Sequence, residues 1–341
     1  FMVYSGCTGD TRKTIFGPET KNSEINSCSM ERFRLTSYTN TILLLCAVLG
    51  FGLLVACSSG AGGHTESLTS GTIHISVDES FKPVIDSHIK VFQNLNPDAK
   101  IIVHYKPEAE CLRDLNEDSI RMVIVTRGLS EEEEKTLSDR LEFTPRQGVM
   151  AYDAIAVIVN NKSKDTLFTM QDIRSMVKGT SGYQYKVVLD GTSATSTVRF
   201  VIDSLLRGEP MGSNVMAAKS SEGVIDYISN NTDAIGLIGV SWIGNKDDTT
   251  QLSFLKKVKI AELECVGCNG TYVVPVQYNI AYRRYPMIRP LHYILKENFD
   301  GLGSGFTNFL IYERGQKIFN RAYLLPAGWV KLYLHPTEIM E

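Results

Sequence analysis

Between Thr72 and Thr126 the apolar pattern changes period four times, and this alternation limits the fold more than any other feature of the 341-residue chain. Thr72 to Val77 alternates, with Ile73, Ile75 and Val77 apolar, as a strand does. From Phe81 the spacing becomes three and four through Val84, Ile85, His88, Ile89 and Phe92, which predicts a helix with one apolar face, stopped by Asn96-Pro97. Lys100 to Tyr105 reads as a second strand and Ala109 to Asn116 as a short helix. Ile120 to Thr126 is a third strand whose continuous apolar run suits burial on both faces. Strand, helix, strand, helix, strand in about 55 residues calls for parallel strands joined by helical crossovers, an α/β class.

A second block begins near Asp153. Ala154 to Val159 is a strongly apolar strand, and Thr169 caps a helix over Met170 to Lys178 that Gly179 stops. Tyr185 to Leu189 reads as a strand, and Thr197 to Leu206 as a helix with Val198, Val201, Ile202 and Leu205 on one face. A helix from Ser220 and Ser221 through Ile228 and a strand over Ala234 to Val240 complete the block. The third block is expected to be mostly helical: Pro286 to Glu297, then Phe306 to Arg321. No period of 20 to 50 residues recurs, which excludes a solenoid.

The longest apolar run, Ile42 to Ala56, is fifteen residues, short of the roughly 20 a spanning helix needs. With Arg32 and Arg34 ahead of it, it reads as the apolar region of a secretory signal. Leu54-Val55-Ala56-Cys57 resembles the bacterial lipoprotein signal, in which the cysteine is lipidated and becomes the new N-terminus; a membrane anchor that is never cut is the competing reading. Small residues from Ser58 to Gly63 then form a flexible tether over residues 57–70. Residues 1–56 are set aside as upstream segment and signal, with Met30 a plausible start. They hold five Lys/Arg and four Asp/Glu of the chain's 35 and 38, leaving 30 basic and 34 acidic residues, so a generally basic nucleic-acid binder is excluded.

Enzyme motifs are missing: there is no HExxH, GxSxG, GxxxxGK[ST] or GxGxxG, and Gly191-Thr192-Ser193-Ala194-Thr195 departs from the nucleophile elbow at its last position. The six histidines are scattered, and none forms a metal-ligand pair at helical spacing; we read them as structural and expect no metal and no cofactor. Cys265-Val266-Gly267-Cys268 is open to metal, redox or disulfide chemistry, with a disulfide or two idle thiols favoured, and Cys111 reads as a small semi-buried residue.

What recurs is a hydroxyl or a short loop at each strand-to-helix junction: Asp78-Glu79-Ser80-Phe81, Pro107-Glu108-Ala109-Glu110, Thr126-Arg127-Gly128-Leu129-Ser130, and Thr192 to Thr197. In a parallel sheet these all lie at the carboxyl edge, where open α/β sheets bind ligands. Free N–H groups of helix starts and neutral hydroxyls suit an anion, and Arg127 is the one cation at such a junction, able to fork onto two oxyanion oxygens. Ser80 alone has an ordinary helix cap as its competing reading, and Arg127 a surface ion pair. The acidic run Glu131 to Glu134 reads as a solvated first helical turn.

The segments Ser76 to Phe81, Val125 to Ser130, Asp153 to Asn160, Ser193 to Arg199, Ala234 to Gly239 and Gly315 to Ile318, in this order and spacing, resemble the phosphate-binding subunit of ABC-type phosphate importers in its bacterial lipoprotein form. The resemblance runs from about Thr72 to Ala327. It implies a two-lobed type II periplasmic-binding-protein fold, each lobe a mainly parallel sheet flanked by helices, with the ligand cleft between lobes. The first lobe would take residues 71–152 and a return segment 276–341, the second 153–275, with crossings near Ala151 to Ala154 and Val274 to Tyr278.

Carried over residue by residue, Ser80 and Phe81 match the contact after strand one, Thr195, Ser196 and Thr197 match the Ser-Gly-Thr helix start with Ser193 just before it, and Thr126 and Arg127 match the pair after strand three. Two departures stand out. Pro107 to Cys111 replaces a Gly-rich loop, and Thr126 stands where some members have an aspartate. Such a carboxylate accepts the proton that phosphate keeps at neutral pH and repels sulfate. Glu108, Glu110 and Asp78 are the candidate substitutes. The implied function is a monomeric, non-enzymatic receptor that captures inorganic phosphate for an ABC permease, anchored in the bacterial envelope through a lipid on Cys57. The alternatives are a receptor for sulfate, molybdate or tungstate, a phosphoester hydrolase, or a scaffold on the same fold.

Overall fold

The computed structural model describes residues 66–191, 195–244 and 249–328. Residues 1–56, read above as upstream segment and signal, Cys57 and Ser193 lie outside the described residues. In chain order the elements begin with β1 (Gly71–Asp78), α1 (Lys82–Leu95), β2 (Ala99–Lys106), α2 (Glu108–Arg113), β3 (Ile120–Val125), α3 (Glu131–Leu141) and β4 (Arg146–Asn160). There follow β5 (Leu167–Phe168), α4 (Met170–Lys178), β6 (Lys186–Leu189), α5 (Ser196–Phe200, running into a π turn over Val201–Leu206), β7 (Val215–Ala217), α6 (Ser221–Asn230) and β8 (Ala234–Gly239). The last are α7 (Thr249–Leu255), β9 (Val258–Ile260), β10 (Glu262–Glu264), β11 (Tyr272–Val273), α8 (Gln277–Ala281), β12 (Ile288–Leu295), α9 (Leu302–Ile311), α10 (Glu313–Arg321) and β13 (Leu325–Pro326). Among the described residues no helix is long and apolar enough to cross a membrane.

The main sheet runs β2-β1-β3-β12-β4-β8-β6-β7, with β9 and β13 also on β4. As the alternation requires, β1 pairs in parallel with both β2 and β3, and β6 in parallel with β7 and β8. The two parallel sets are joined by β4. Its first part, Arg146 to Ala154, lies antiparallel to β12, and its second, Ile155 to Val159, antiparallel to β8. Ile155 to Val159 are fully buried between helices, which explains their unbroken apolar run. Gly236 lets α6 approach this layer, because a Cβ there would stand 2.6 Å from Val224 and 2.8 Å from Ile158. β5, β10 and β11 form a separate three-stranded sheet.

One expected element is corrected. Pro286 to Glu297, read as a helix, contains β12, a strand inserted between β3 and β4. Pro290 is tolerated because β3 pairs only with His292 to Leu295, leaving a hydrogen-bonded neighbour on one side of the strand at residue 290. Helix signals elsewhere hold. Thr169 with Asp172 and Ser130 with Glu133 form capping boxes. Cys265 and Cys268 are joined as a disulfide, and Cys111 is fully buried. His88 is a core histidine whose two ring nitrogens meet the carbonyls of Val84 and Gly315, and burial holds its pKa down at about 4.

Candidate functional site

The chain turns sharply where β1 ends. Asp78 Oδ1 accepts the Ser80 backbone N–H at 3.0 Å, which tightens a single turn over Glu79–Phe81 before α1 begins. This turn points the Ser80 hydroxyl away from its own helix. It donates to Asp190 Oδ2 at 3.1 Å and lies 3.3 Å from Ser196 Oγ, so a residue just past β1 meets residues just past β6.

On the β6 side Thr195 is the cap of α5, accepting the Val198 N–H at 3.2 Å while its own proton goes to Asp190 Oδ1 at 3.1 Å. Thr197 donates to Asp190 Oδ2 at 3.2 Å. From the start of α6, the Ser221 hydroxyl lies 3.3 Å from the same oxygen and 3.1 Å from Glu79 Oε2. Four hydroxyls from three places in the chain thus surround one carboxylate.

The cation of this cluster is Arg289, which sequence reasoning missed. It stands on β12 directly opposite Asp153 on β4, and its Nε donates to Asp153 Oδ2 at 2.9 Å. Nη1 donates to Ser196 Oγ at 2.8 Å and Thr197 Oγ1 at 3.3 Å, and the guanidinium lies 5.0 Å from the centre of the Phe81 ring. Because Ser80 gives its single proton to Asp190, Ser196 is the donor of the Ser80–Ser196 pair. The polarity therefore runs from Arg289 through Ser196 and Ser80 to Asp190. Gly239 makes room for the arginine, since a Cβ there would stand 2.9 Å from Nη2. Three buried atoms in the cluster, Asp78 Oδ2, Asp153 Oδ1 and Arg289 Nη2, have no hydrogen-bond partner, although Nη2 is ion-paired with Asp153 Oδ2 at 2.9 Å.

A second polar group flanks the first. Glu108 Oε1 accepts from the Thr126 N–H at 2.8 Å and the Thr126 hydroxyl at 2.6 Å, and Arg199 Nε of α5 donates to Oε2 at 2.5 Å. Arg199 Nη2 also reaches the Thr126 hydroxyl at 2.7 Å. This is a second bond network between the segments after β2 and β3 and those after β6.

The candidate residues therefore divide. Ser80, Phe81, Thr195, Ser196, Thr197 and Asp78 come together, with Thr126 and Glu108 in the flanking group. Arg127 and Glu110 do not join them. Arg127 forks onto Glu133 of α3 at 2.7 and 2.8 Å, the surface ion pair that was its competing reading. Glu110 is half-exposed beside Arg113. No sequence motif flags Arg289; the one signal is a charged residue inside the apolar run Ile288 to Leu295, which gains meaning only from its register against Asp153.

Charge is unevenly shared. Asp78, Glu79, Glu108, Asp153 and Asp190 face Arg289 and Arg199. Burial pushes the Asp78 carboxyl up to about 6 against the pull of Arg289, and burial together with the Asp190 charge pushes Glu79 up to about 7. Burial also raises Glu108, but Arg199 and Thr126 outweigh it and hold that carboxyl below its ordinary value. Of the proton-acceptor candidates, Glu108 is thus committed to its partners, and Asp78 has an oxygen to spare. Among the described residues no group of three or more His, Cys, Asp or Glu is arranged to hold a metal ion.

The family model of a PBP superfamily domain matches residues 62–314. A protein of Clostridium perfringens described as a phosphate ABC transporter substrate-binding protein, with bound phosphate, is similar in structure at TM-score 0.62 and 20% identity, over 75% of this chain and 100% of that one. An ABC-type phosphate transport receptor of Vibrio cholerae matches at TM-score 0.55 and 19% identity, over 75% and 100%. Likeness of fold extends to a mutant OxyR of Corynebacterium glutamicum with bound hydrogen peroxide, at TM-score 0.51 and 12% identity, over 84% of this chain and 76% of that one. No curated protein matches the chain.

Proposed function

The chain belongs to the PBP superfamily, and from that premise we propose that it is a substrate-binding protein that captures inorganic phosphate for an ABC importer. The observation that carries this reading is the convergence of Ser80, Thr195, Ser196, Thr197 and Ser221 on one point beside the buried Arg289. Neutral hydroxyls and one guanidinium are what a tetrahedral oxyanion needs in a site away from water, where such bonds strengthen. Two fold relatives are phosphate-transport proteins by description. The reading includes two lobes, 71–152 with 276–341 and 153–275, that close on the anion, and an exported, lipid-anchored protein held by Cys57.

Asp78 is the proton acceptor in this reading, because its Oδ2 is unpartnered and lies within the cluster. A ligand that still carries a proton gains a bond there; fully ionised sulfate meets repulsion instead. Titration calorimetry on protein stripped of bound anion tests the proposal. Saturable one-to-one binding of phosphate that excess sulfate and molybdate do not displace is the expected result. Tighter binding of sulfate or molybdate assigns the site to another oxyanion, and no heat from a folded sample removes the receptor function.

A further inference from the structure

We propose that the Asp190 carboxylate is a built-in competitor for the anion: it takes the hydroxyl protons on which an oxyanion would depend, and phosphate binds by displacing it. The inference rests on the phosphate reading above. Ser80, Thr195 and Thr197 each donate their one proton to Asp190, and Ser221 divides its own between Asp190 and Glu79. Ser196 lies 3.3 Å from Ser80 Oγ and also bonds toward the Asp78 carboxyl. With Asp190 in place, the described hydroxyls Ser80, Thr195 and Thr197 have no proton left for a ligand, and Ser221 shares its own.

Local structure does not require this carboxylate. An aspartate just past a strand commonly serves as the cap of the next helix, but α5 is capped by Thr195 and α6 by Ser220. The Asp190 oxygens instead receive side chains from three separate junctions, an arrangement that mimics a bound oxyanion. Charge points the same way. Asp78 and Asp153 already crowd Arg289, the buried cation of this cluster, so an added anion would meet Asp190 at contact distance unless that group left. The donors that would be freed are still arranged for an anion, beside the buried Arg289 guanidinium.

The test compares the phosphate dissociation constants of wild type, Asp190→Asn and Asp190→Ala by calorimetry at one pH and salt concentration. Asn keeps the shape and removes the charge; Ala removes both. Each variant is expected to bind phosphate at least about tenfold tighter than wild type, because a like charge at contact range is gone. Tight wild-type binding with no gain in either variant overturns the inference and leaves the receptor reading standing. A gain in the variants with no detectable wild-type binding keeps Asp190 as the blocking group but overturns its displacement by phosphate, and removes phosphate capture from the natural protein. Silence from all three folded proteins overturns both. Where a variant is unfolded at the working temperature, melting in phosphate against melting in chloride replaces calorimetry. A larger phosphate-induced rise in the variant than in wild type supports the competitor role, and an equal or smaller rise overturns it.

Discussion

The segments after β3 and after β6 are made of the same materials, hydroxyls, a glycine and one charged residue, and they end differently. After β3, Arg127 turns to Glu133 and Ser130 caps α3, so the charge and one hydroxyl are consumed within seven residues of each other. After β6, Asp190, Thr195, Ser196 and Thr197 reach Ser80 on the β1 junction, Ser221 on α6 and Arg289 on β12. After β3 the one cation is satisfied locally, with only Thr126 reaching distant partners; after β6 the charge and the hydroxyls are all completed by the fold. Composition at a strand-to-helix turn therefore says little about ligands until the long-range partners are known.

The sharpest way to break this comparison is Arg289→Ala. It leaves Asp153 buried with no counter-charge, and loss of one partner of a buried pair costs about 3–5 kcal/mol. Urea unfolding should show that loss; a cost under about 1 kcal/mol would mean the remote junction is no better tied than the local one. Ser196→Ala comes next. It interrupts the path from Arg289 to Ser80 and should weaken phosphate binding roughly tenfold to a hundredfold at modest cost in stability. Unchanged affinity would take Ser196 out of the site.

Asp78→Asn probes the acidity of the same cluster. Its folded pKa of about 6 lies above the ordinary 3.8, so the protein favours the protonated carboxyl. That stability is fully present below about pH 3.8 and is lost as pH rises through about 6. The asparagine variant avoids the loss and should be more stable than wild type at pH 7.5, by on the order of 2 kcal/mol, with the gain fading toward pH 4. Equal melting temperatures at pH 7.5 would refute it. Arg127→Ala should have the smallest effect: under about 1 kcal/mol in stability, for a partly exposed pair, and no change in phosphate affinity. A large loss of affinity would place the β3 junction in the site after all.

Much of the fold was readable because it is written in local periods. The strands and helices from Ile73 to Phe92 and the apolar run at Ala154 to Val159 need only spacing to be found. β12 was not, since Ile288, Leu291, Ile294 and Leu295 also suit a helix, and the choice is made by β3 and β4 on either side. The site followed the same rule. Ser80 and Thr195 to Thr197 announce themselves as hydroxyls at helix starts. Arg289 and Arg199 carry no local mark, because their roles come from Asp153 and Glu108, which lie 136 and 91 positions away.

The placement of β12 also sets an order of assembly. A chain made from its N-terminus has β6, β7, β8, β9 and the second part of β4 in hand once residue 260 has emerged, and that set can pair within itself. The earlier strands β1, β2 and β3 must wait until Leu295 for the strand that joins β3 to β4. The part synthesised first is therefore finished last, with one side of β3 open in the meantime. During synthesis, β3 is the place where a chaperone or an unwanted neighbouring strand would find an unpaired edge.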